Sequence, residues 1–311
     1  MRRRTLLLAA PALARAQEGW PNRPVRVIIP YPPGGGTDIG GRLLCQRLAE
    51  HWGQPVIVDN RGGAGGMIGT RAVGAGPTDG TNLLFNGTLS ILRDQFDPRT
   101  VIDHVVRAII THNILVVNRT VPVTTVPEFI AYLRANPGRL NHGTSGPLAS
   151  QHLAAVMFDL LAGTRMENIH YRGTGPSVAG ILANEVQVMF GSMSAVLPLI
   201  EDGRVRALAT ASGRRSAMLP QLPTVGSFLP GYACELTYCF CTPVGAPEWL
   251  KRRLEESVRA VVENPSFAAE LRPRGFEPDY LVNPELTAEM DADILRWADV
   301  ARRANLSLSE G

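Results

Sequence analysis

Between positions 25 and 38 a short apolar run, Val-Arg-Val-Ile-Ile, stops at Pro30-Tyr-Pro-Pro-Gly-Gly-Gly-Thr-Asp38 and gives way to a helical pattern near Ile39. A strand that ends in three glycines and feeds a helix leaves few folds open. The glycines let the backbone turn sharply, and the first helical turn leaves about four N–H groups without an intrahelical acceptor. Such a turn suits a carboxylate or a phosphate. No Gly-Lys-Ser/Thr follows, and Ile39 stands where Gly-x-Gly-x-x-Gly needs its last glycine, so nucleoside triphosphates and dinucleotides lose their main support. Asp38 is of a residue type suited to cap the helix that follows.

The same unit recurs along the chain. Residues 56–58 lead to Asn60-Arg-Gly-Gly-Ala-Gly-Gly66 and a helix to about Ala75, and residues 83–85 end in Asn86-Gly-Thr-Leu-Ser90. Apolar strands without alternation, separated by helices, indicate an α/β lobe whose mostly parallel sheet is covered on both faces. Residues 109–118 read as a long strand after which the pattern restarts. A second set follows: Asn141-His-Gly-Thr-Ser-Gly-Pro-Leu-Ala-Ser150 into a helix, His170-Tyr-Arg-Gly-Thr-Gly-Pro176 into another, and buried strands at 186–190, ending in Gly191-Ser192, and at 206–210. A strand at 235–241 crosses back, and the largely helical remainder rejoins the first lobe. The expected division is a leader at 1–16, lobe one at 17–115 and 241–311, and lobe two at 116–240. Ligands in such sheets bind at the carboxyl ends of strands, where every one of these glycine turns lies.

The first sixteen residues combine Arg2 to Arg4, an apolar stretch at 6–13 and Ala14-Arg15-Ala16, the pattern of a cleaved export signal. Export by the Sec or the twin-arginine route is expected, giving a soluble periplasmic protein. Without the leader, Lys+Arg falls from 31 to 27 against 28 Asp+Glu, so the formal charge of +3 becomes −1. The remaining arginines are scattered, which argues against nucleic acid.

Other chemistries find little support. Gly63-x-Gly65-x-x-x-Gly69 lacks dinucleotide spacing, and close helix packing accounts for it better. Gly143-Thr-Ser-Gly146 is not the Gly-x-Ser-x-Gly elbow of a hydrolase, although Ser145 with His152 stands as the alternative reading of an exported serine hydrolase. His51, His104 and His112 form no metal spacing, and no metal or cofactor is expected. Of Cys45, Cys234, Cys239 and Cys241, the last two share a strand face and cannot easily bridge each other, while Cys234 with either is sterically conceivable. Thr88, Ser90, Thr144, Ser145, Ser150 and Ser192 are hydroxyls at strand-to-helix turns, and in those turns the only arginines are Arg61 and Arg172.

The sequence resembles the substrate-binding receptors of tripartite tricarboxylate transporters, the Bug receptors. The likeness is carried by Trp20-Pro-x-Arg-Pro-Val-Arg26, the Pro30 to Asp38 turn, Gly53-Gln-Pro-Val56, Asp59-Asn-Arg-Gly-Gly-Ala-Gly-Gly66, Pro77-Thr-Asp-Gly-Thr81, Pro137-Gly-Arg-Leu-Asn141, Ser150-Gln-His-Leu153, His170-Tyr-Arg-Gly173, Leu222-Pro-Thr-Val225 and Pro230-Gly-Tyr232. It covers essentially the whole chain after the leader. The resemblance implies a type II periplasmic binding protein, two α/β lobes joined by two crossing strands, that closes on a small organic carboxylate and hands it to membrane permease subunits. It implies a monomer without enzymatic activity; a sensor role in a two-component system is the alternative within this class. The ligand-binding positions it implies are Tyr31, Gly35, Gly36, Thr37 and Asp38, with Gly87 and Thr88 beside them, and Thr144, Ser145, Gly146 and Ser150 in the second lobe; Gly191 and Ser192, at the end of a buried strand, are further candidates. Where many relatives carry Asp-Asn, this chain has Gly191-Ser192, which argues against an amino group on the ligand at that point. The stretch 89–108 is also shorter than in many relatives.

Overall fold

The computed structural model describes residues 19–63, 66–87, 97–147 and 149–306. The expected leader, Thr88 and Ser90 lie outside the described residues. Ten strands form a continuous, mixed sheet in the order β2-β1-β3-β9-β4-β7-β5-β6, with β10 and β8 also paired to β4. On one side β1 (Val25–Ile29) runs parallel to β2 (Val56–Asn60) and β3 (Asn82–Gly87). On the other, β5 (Asn141–Thr144) runs parallel to β6 (Glu167–His170) and β7 (Val188–Ser192).

The two halves are joined by β4 (Ile102–Asn118). As far as His112 it pairs with β9 (Glu235–Pro243) and β10 (Phe276–Val282), and from Asn113 onward with β7 and β8 (Val205–Thr210). One strand thus serves both lobes and changes partners between two consecutive residues. The sequence suggests only 109–118, because Asp103, His104 and Arg107 interrupt the apolar run; Arg107 is buried here because Asp279, 2.8 Å from its Nε, and Glu289 neutralise it.

The absence of alternation in β1 follows from burial on both faces. Val27 and Ile29 belong to one cluster with Leu44, Leu48 and Phe240, while Ile28 faces a second cluster with Leu84, Cys239 and Cys241. Helix α1 (Gly36–Trp52) lays Leu44, Cys45 and Leu48 on the first of these and ends at Gly53, whose φ of 62° is the left-handed conformation that suits glycine. The second lobe has its own two layers, one around Phe129, Phe158 and Phe190 and one around Ile114, Met189 and Val196. The remaining helices are α2 (Met67–Gly74), α3 (Val126–Ala135), α4 (Ser150–Ala162), α5 (Thr174–Leu182), α6 (Met193–Glu201), α7 (Glu248–Val262), α8 (Pro265–Leu271) and α9 (Glu285–Arg303). Among the described residues no helix is long and apolar enough to cross a membrane.

Helix α9 belongs to both halves. Leu286 and Met290 pack with Ile28 and Cys239, whereas Trp297 and Val300 join the cluster of Phe158 and Phe190. Truncating Trp297, 2 % exposed, to alanine is expected to cost about 3–5 kcal/mol in urea unfolding, as for other large core aromatics. All four cysteines are free and buried. Cys239 and Cys241 face the α9 side of the sheet, and Cys234 Sγ lies 3.7 Å from the Ser150 carbonyl. Burial pushes the Cys45 and Cys239 thiols up to about 12, which makes them inert.

Candidate ligand-binding site

The first glycine turn is a cradle of backbone amides held from below. Helix α1 starts at Gly36, two residues earlier than Asp38 alone suggests, with Gly35 in extended conformation as its N-cap and no side chain capping it. The Ile39 N–H is the first to find an acceptor, the Gly35 carbonyl at 2.9 Å; those of Gly36, Thr37 and Asp38 have no backbone acceptor among the described residues. Asp38 is 4 % exposed and points back under the loop. Its carboxylate accepts from the Gly34 N–H, Arg42 Nε and Asn60 Nδ2, each at 2.9 Å. Burial acts to raise its pKa, but the hydrogen bonds from Arg42, Gly34 and Asn60 outweigh it and hold the carboxyl below its ordinary value.

Other elements complete this jaw. Asn60, at the end of β2, also donates to the Tyr31 carbonyl at 3.1 Å and accepts from Arg42 at 2.7 Å. Tyr31 lies against Gly66, where an added Cβ would come within 3.3 Å of its ring. Tyr238 of β9 sits beneath both Gly36 and Gly87: a Cβ on Gly36 would be 2.9 Å from its hydroxyl, and one on Gly87 3.4 Å from its ring. Thus Tyr31, Gly35, Gly36, Thr37, Asp38 and Gly87 are gathered at one end of the first-lobe sheet, with Tyr238, Asn60 and Arg42 as supports that sequence reasoning did not single out. The Asn60-Arg-Gly-Gly motif held a signal for Asn60; Tyr238 had none.

The second jaw is built the same way. The Thr144 hydroxyl closes its own turn, donating to the Gly146 carbonyl at 2.9 Å and accepting from the Gly146 N–H at 3.0 Å. Like Asp38, Thr144 therefore spends its side chain on holding its own turn. The Ser145 carbonyl accepts from the Gly173 N–H at 3.1 Å, which ties this turn to the start of α5. Ser150 begins α4 and Ser192 precedes α6, and the N-caps Ala149, Gly173 and Ser192 form no side-chain cap. Helices α3 and α8, which do not follow a strand of the parallel sets, are capped by Thr125 and Asn264; α7 and α9 start behind prolines. So α1, α2, α4, α5 and α6, each entered from a parallel strand, keep their first N–H groups uncapped by side chains.

Among the described residues, several buried polar atoms without a hydrogen-bond partner lie at these places: Asn86 Oδ1 beside Gly87, both amide atoms of Asn113, which is opposite Ser192 in the β4–β7 ladder, and Gln151 Oε1 beside Ser150; Thr242 Oγ1 and Arg296 Nε are unpartnered elsewhere. In Gly191 an added Cβ would lie 2.2 Å from Val196, so β7 passes close against α6. His152 stands edge-on to His170 with ring centroids 4.8 Å apart. Burial, then repulsion from His170, pushes the His152 pKa down to about 4, too low for a general base at neutral pH. No cluster of three or more His, Cys, Asp or Glu suited to a metal occurs among the described residues.

The sequence profile described as "Tripartite tricarboxylate transporter family receptor" matches residues 41–306. Protein BugT of Bordetella pertussis is 33 % identical, with 97 % of this chain and 94 % of BugT covered. Among solved structures, an R. palustris protein described with adipate superimposes with a TM-score of 0.80 at 30 % identity, covering 92 % of this chain and 98 % of that one. The periplasmic binding protein BugD gives 0.75 at 28 % identity, over 92 % and 99 % of the two chains.

Proposed function

The chain belongs to the tripartite tricarboxylate transporter receptor family, and from that premise we propose that it captures a small organic carboxylate in the periplasm by lobe closure and delivers it to membrane permease subunits. The observation that carries this reading is the Gly34 to Asp38 cradle, whose one acidic side chain is turned inward and neutralised while three N–H groups are left for a guest. The adipate-associated R. palustris relative at 30 % identity supports a carboxylate as that guest. Residues 17–115 and 241–311 would form one lobe and 116–240 the other, with the leader at 1–16 removed on export and the receptor acting as a monomer.

Neither jaw holds the ligand by chemistry. Each supplies part of the donors, so both ends of the guest are satisfied only when the lobes meet, and the ligand shifts the open–closed equilibrium by its differential affinity. A thermal-shift screen of mono-, di- and tricarboxylates tests this. A true ligand at a hundredfold excess over its Kd should raise the melting temperature on the order of 5 °C. A flat response across the whole panel would remove the receptor reading. Ser145→Ala separates it from the serine-hydrolase alternative: we expect no ester turnover in either protein, and a wild-type turnover that vanishes in the variant would favour the hydrolase.

A further inference from the structure

We propose that Arg172 is the specificity-determining cation of the second lobe and engages a second carboxylate of the ligand as the lobes close. This rests on the receptor reading above and adds to it a requirement for charge at both ends of the ligand.

Two arginines occupy the glycine turns, and the structure divides them. Arg61 is committed, its Nε lying 2.9 Å from Asp59 Oδ2. Arg172 is exposed, and no hydrogen bond or ion pair holds its guanidinium among the described residues. Its backbone position is well defined all the same. The Tyr171 N–H donates to the Thr144 carbonyl at 2.9 Å and the Gly173 N–H to the Ser145 carbonyl at 3.1 Å, so Arg172 is stitched alongside the Thr144 to Gly146 turn.

The neighbouring side chains are committed elsewhere. Tyr171 is turned onto α5: a Cβ on Gly180 would be 2.3 Å from its hydroxyl, which reaches Glu185 at 3.1 Å. β6 ends at His170, and Arg172 lies in the bend that follows, directly before Gly173, the N-cap of α5. His170 itself is edge-on to His152 in the first turn of α4. The exposed Arg172 is therefore carried at the start of α5, with the start of α4 next to His170, and neither helix has a side-chain cap.

The electrostatics of the two jaws differ in consequence. The first offers N–H groups, and its nearby Arg42 is bound to Asp38 and Asn60. A ligand with one carboxylate finds its complement there. Arg172 gains a partner only when the far end is anionic too, and a charge-assisted Arg–carboxylate bond, bidentate in geometry, is among the stronger polar contacts available.

Calorimetric titration of the mature protein with succinate against butyrate, adipate against hexanoate and suberate against octanoate tests the assignment. In the pair that fits, the dicarboxylate should bind at least about 100-fold tighter than its monocarboxylate. Arg172→Gln should weaken the dicarboxylate about 10- to 100-fold, leave the monocarboxylate within about twofold, and leave the melting temperature unchanged; Arg172→Lys should fall between. Dicarboxylate affinity within about twofold of wild type in Arg172→Gln would overturn the role of Arg172. So would equal binding of both members of each pair, with the receptor reading intact. No binding by any of the six acids would overturn both.

Discussion

Replacing Gly35 by valine is expected to lower carboxylate affinity by at least about 100-fold while moving the melting temperature by less than about 2 °C. Gly35 has φ −81° and ψ 170°, a conformation that β-branched residues adopt readily, and nothing lies within 4 Å of the position its Cβ would take. The fold therefore loses little. The added methyls would instead occupy the open space in front of the first N–H groups of α1. Neighbouring glycines make poorer probes, since Gly34 has φ +87° and a Cβ on Gly36 would press on the Tyr238 hydroxyl at 2.9 Å. Thr37→Pro is the companion test: proline is tolerated in the first helical turn and removes one donor there. Calorimetry and melting curves on the two variants decide the matter, and normal binding by both would place the anion site elsewhere.

The second large effect is expected at Asp38. Asp38→Ala leaves the Gly34 N–H and Arg42 Nε without their acceptor and Asn60 Nδ2 with the Tyr31 carbonyl alone, which should cost about 2–3 kcal/mol of stability and weaken ligand binding by loosening Gly34. Asp38→Asn adds a pH signature. The folded-state pKa is depressed below the unfolded value, so the stabilisation from this carboxylate is fully present above about pH 4 and is lost as pH falls through the folded pKa. The stability gap between wild type and Asp38→Asn should narrow as the pH falls below about 4, measured by urea unfolding across that range. A gap that stays constant with pH would mean that the carboxylate's charge contributes nothing there.

The turns at 34–38 and 143–146 were legible in the sequence because glycine and hydroxyl residues ahead of an apolar helix have few other uses. The α/β class followed from strands that are apolar throughout, and Val27, Ile28 and Ile29 bear this out by being buried on both faces of β1. What local pattern could not reveal was anything settled by tertiary charge. The early half of β4 was hidden by Arg107, whose partners Asp279 and Glu289 lie far along the chain. Asp38 suited an N-cap by residue type, yet it sits in the third position of α1 and reaches back to Gly34, because the glycine run lets the helix start earlier. Tyr238 carried no signal either, since only the pairing of β3 with β9 brings its ring under Gly36 and Gly87.

The partner exchange in β4 bears on the order in which the protein can assemble. Strands β1, β2 and β3 leave the ribosome early, but the open edge of β3 is covered only by β9, where Leu84 meets Cys241, and the first half of β4 awaits β10, where Thr111 meets Phe276. The second lobe, by contrast, draws its layers largely from one continuous stretch of chain. Contacts so distant in sequence carry a loop-closure cost before they reward it, so the second lobe is placed to fold first and the cradle-bearing lobe to wait, edge exposed, for the last segment of the polypeptide.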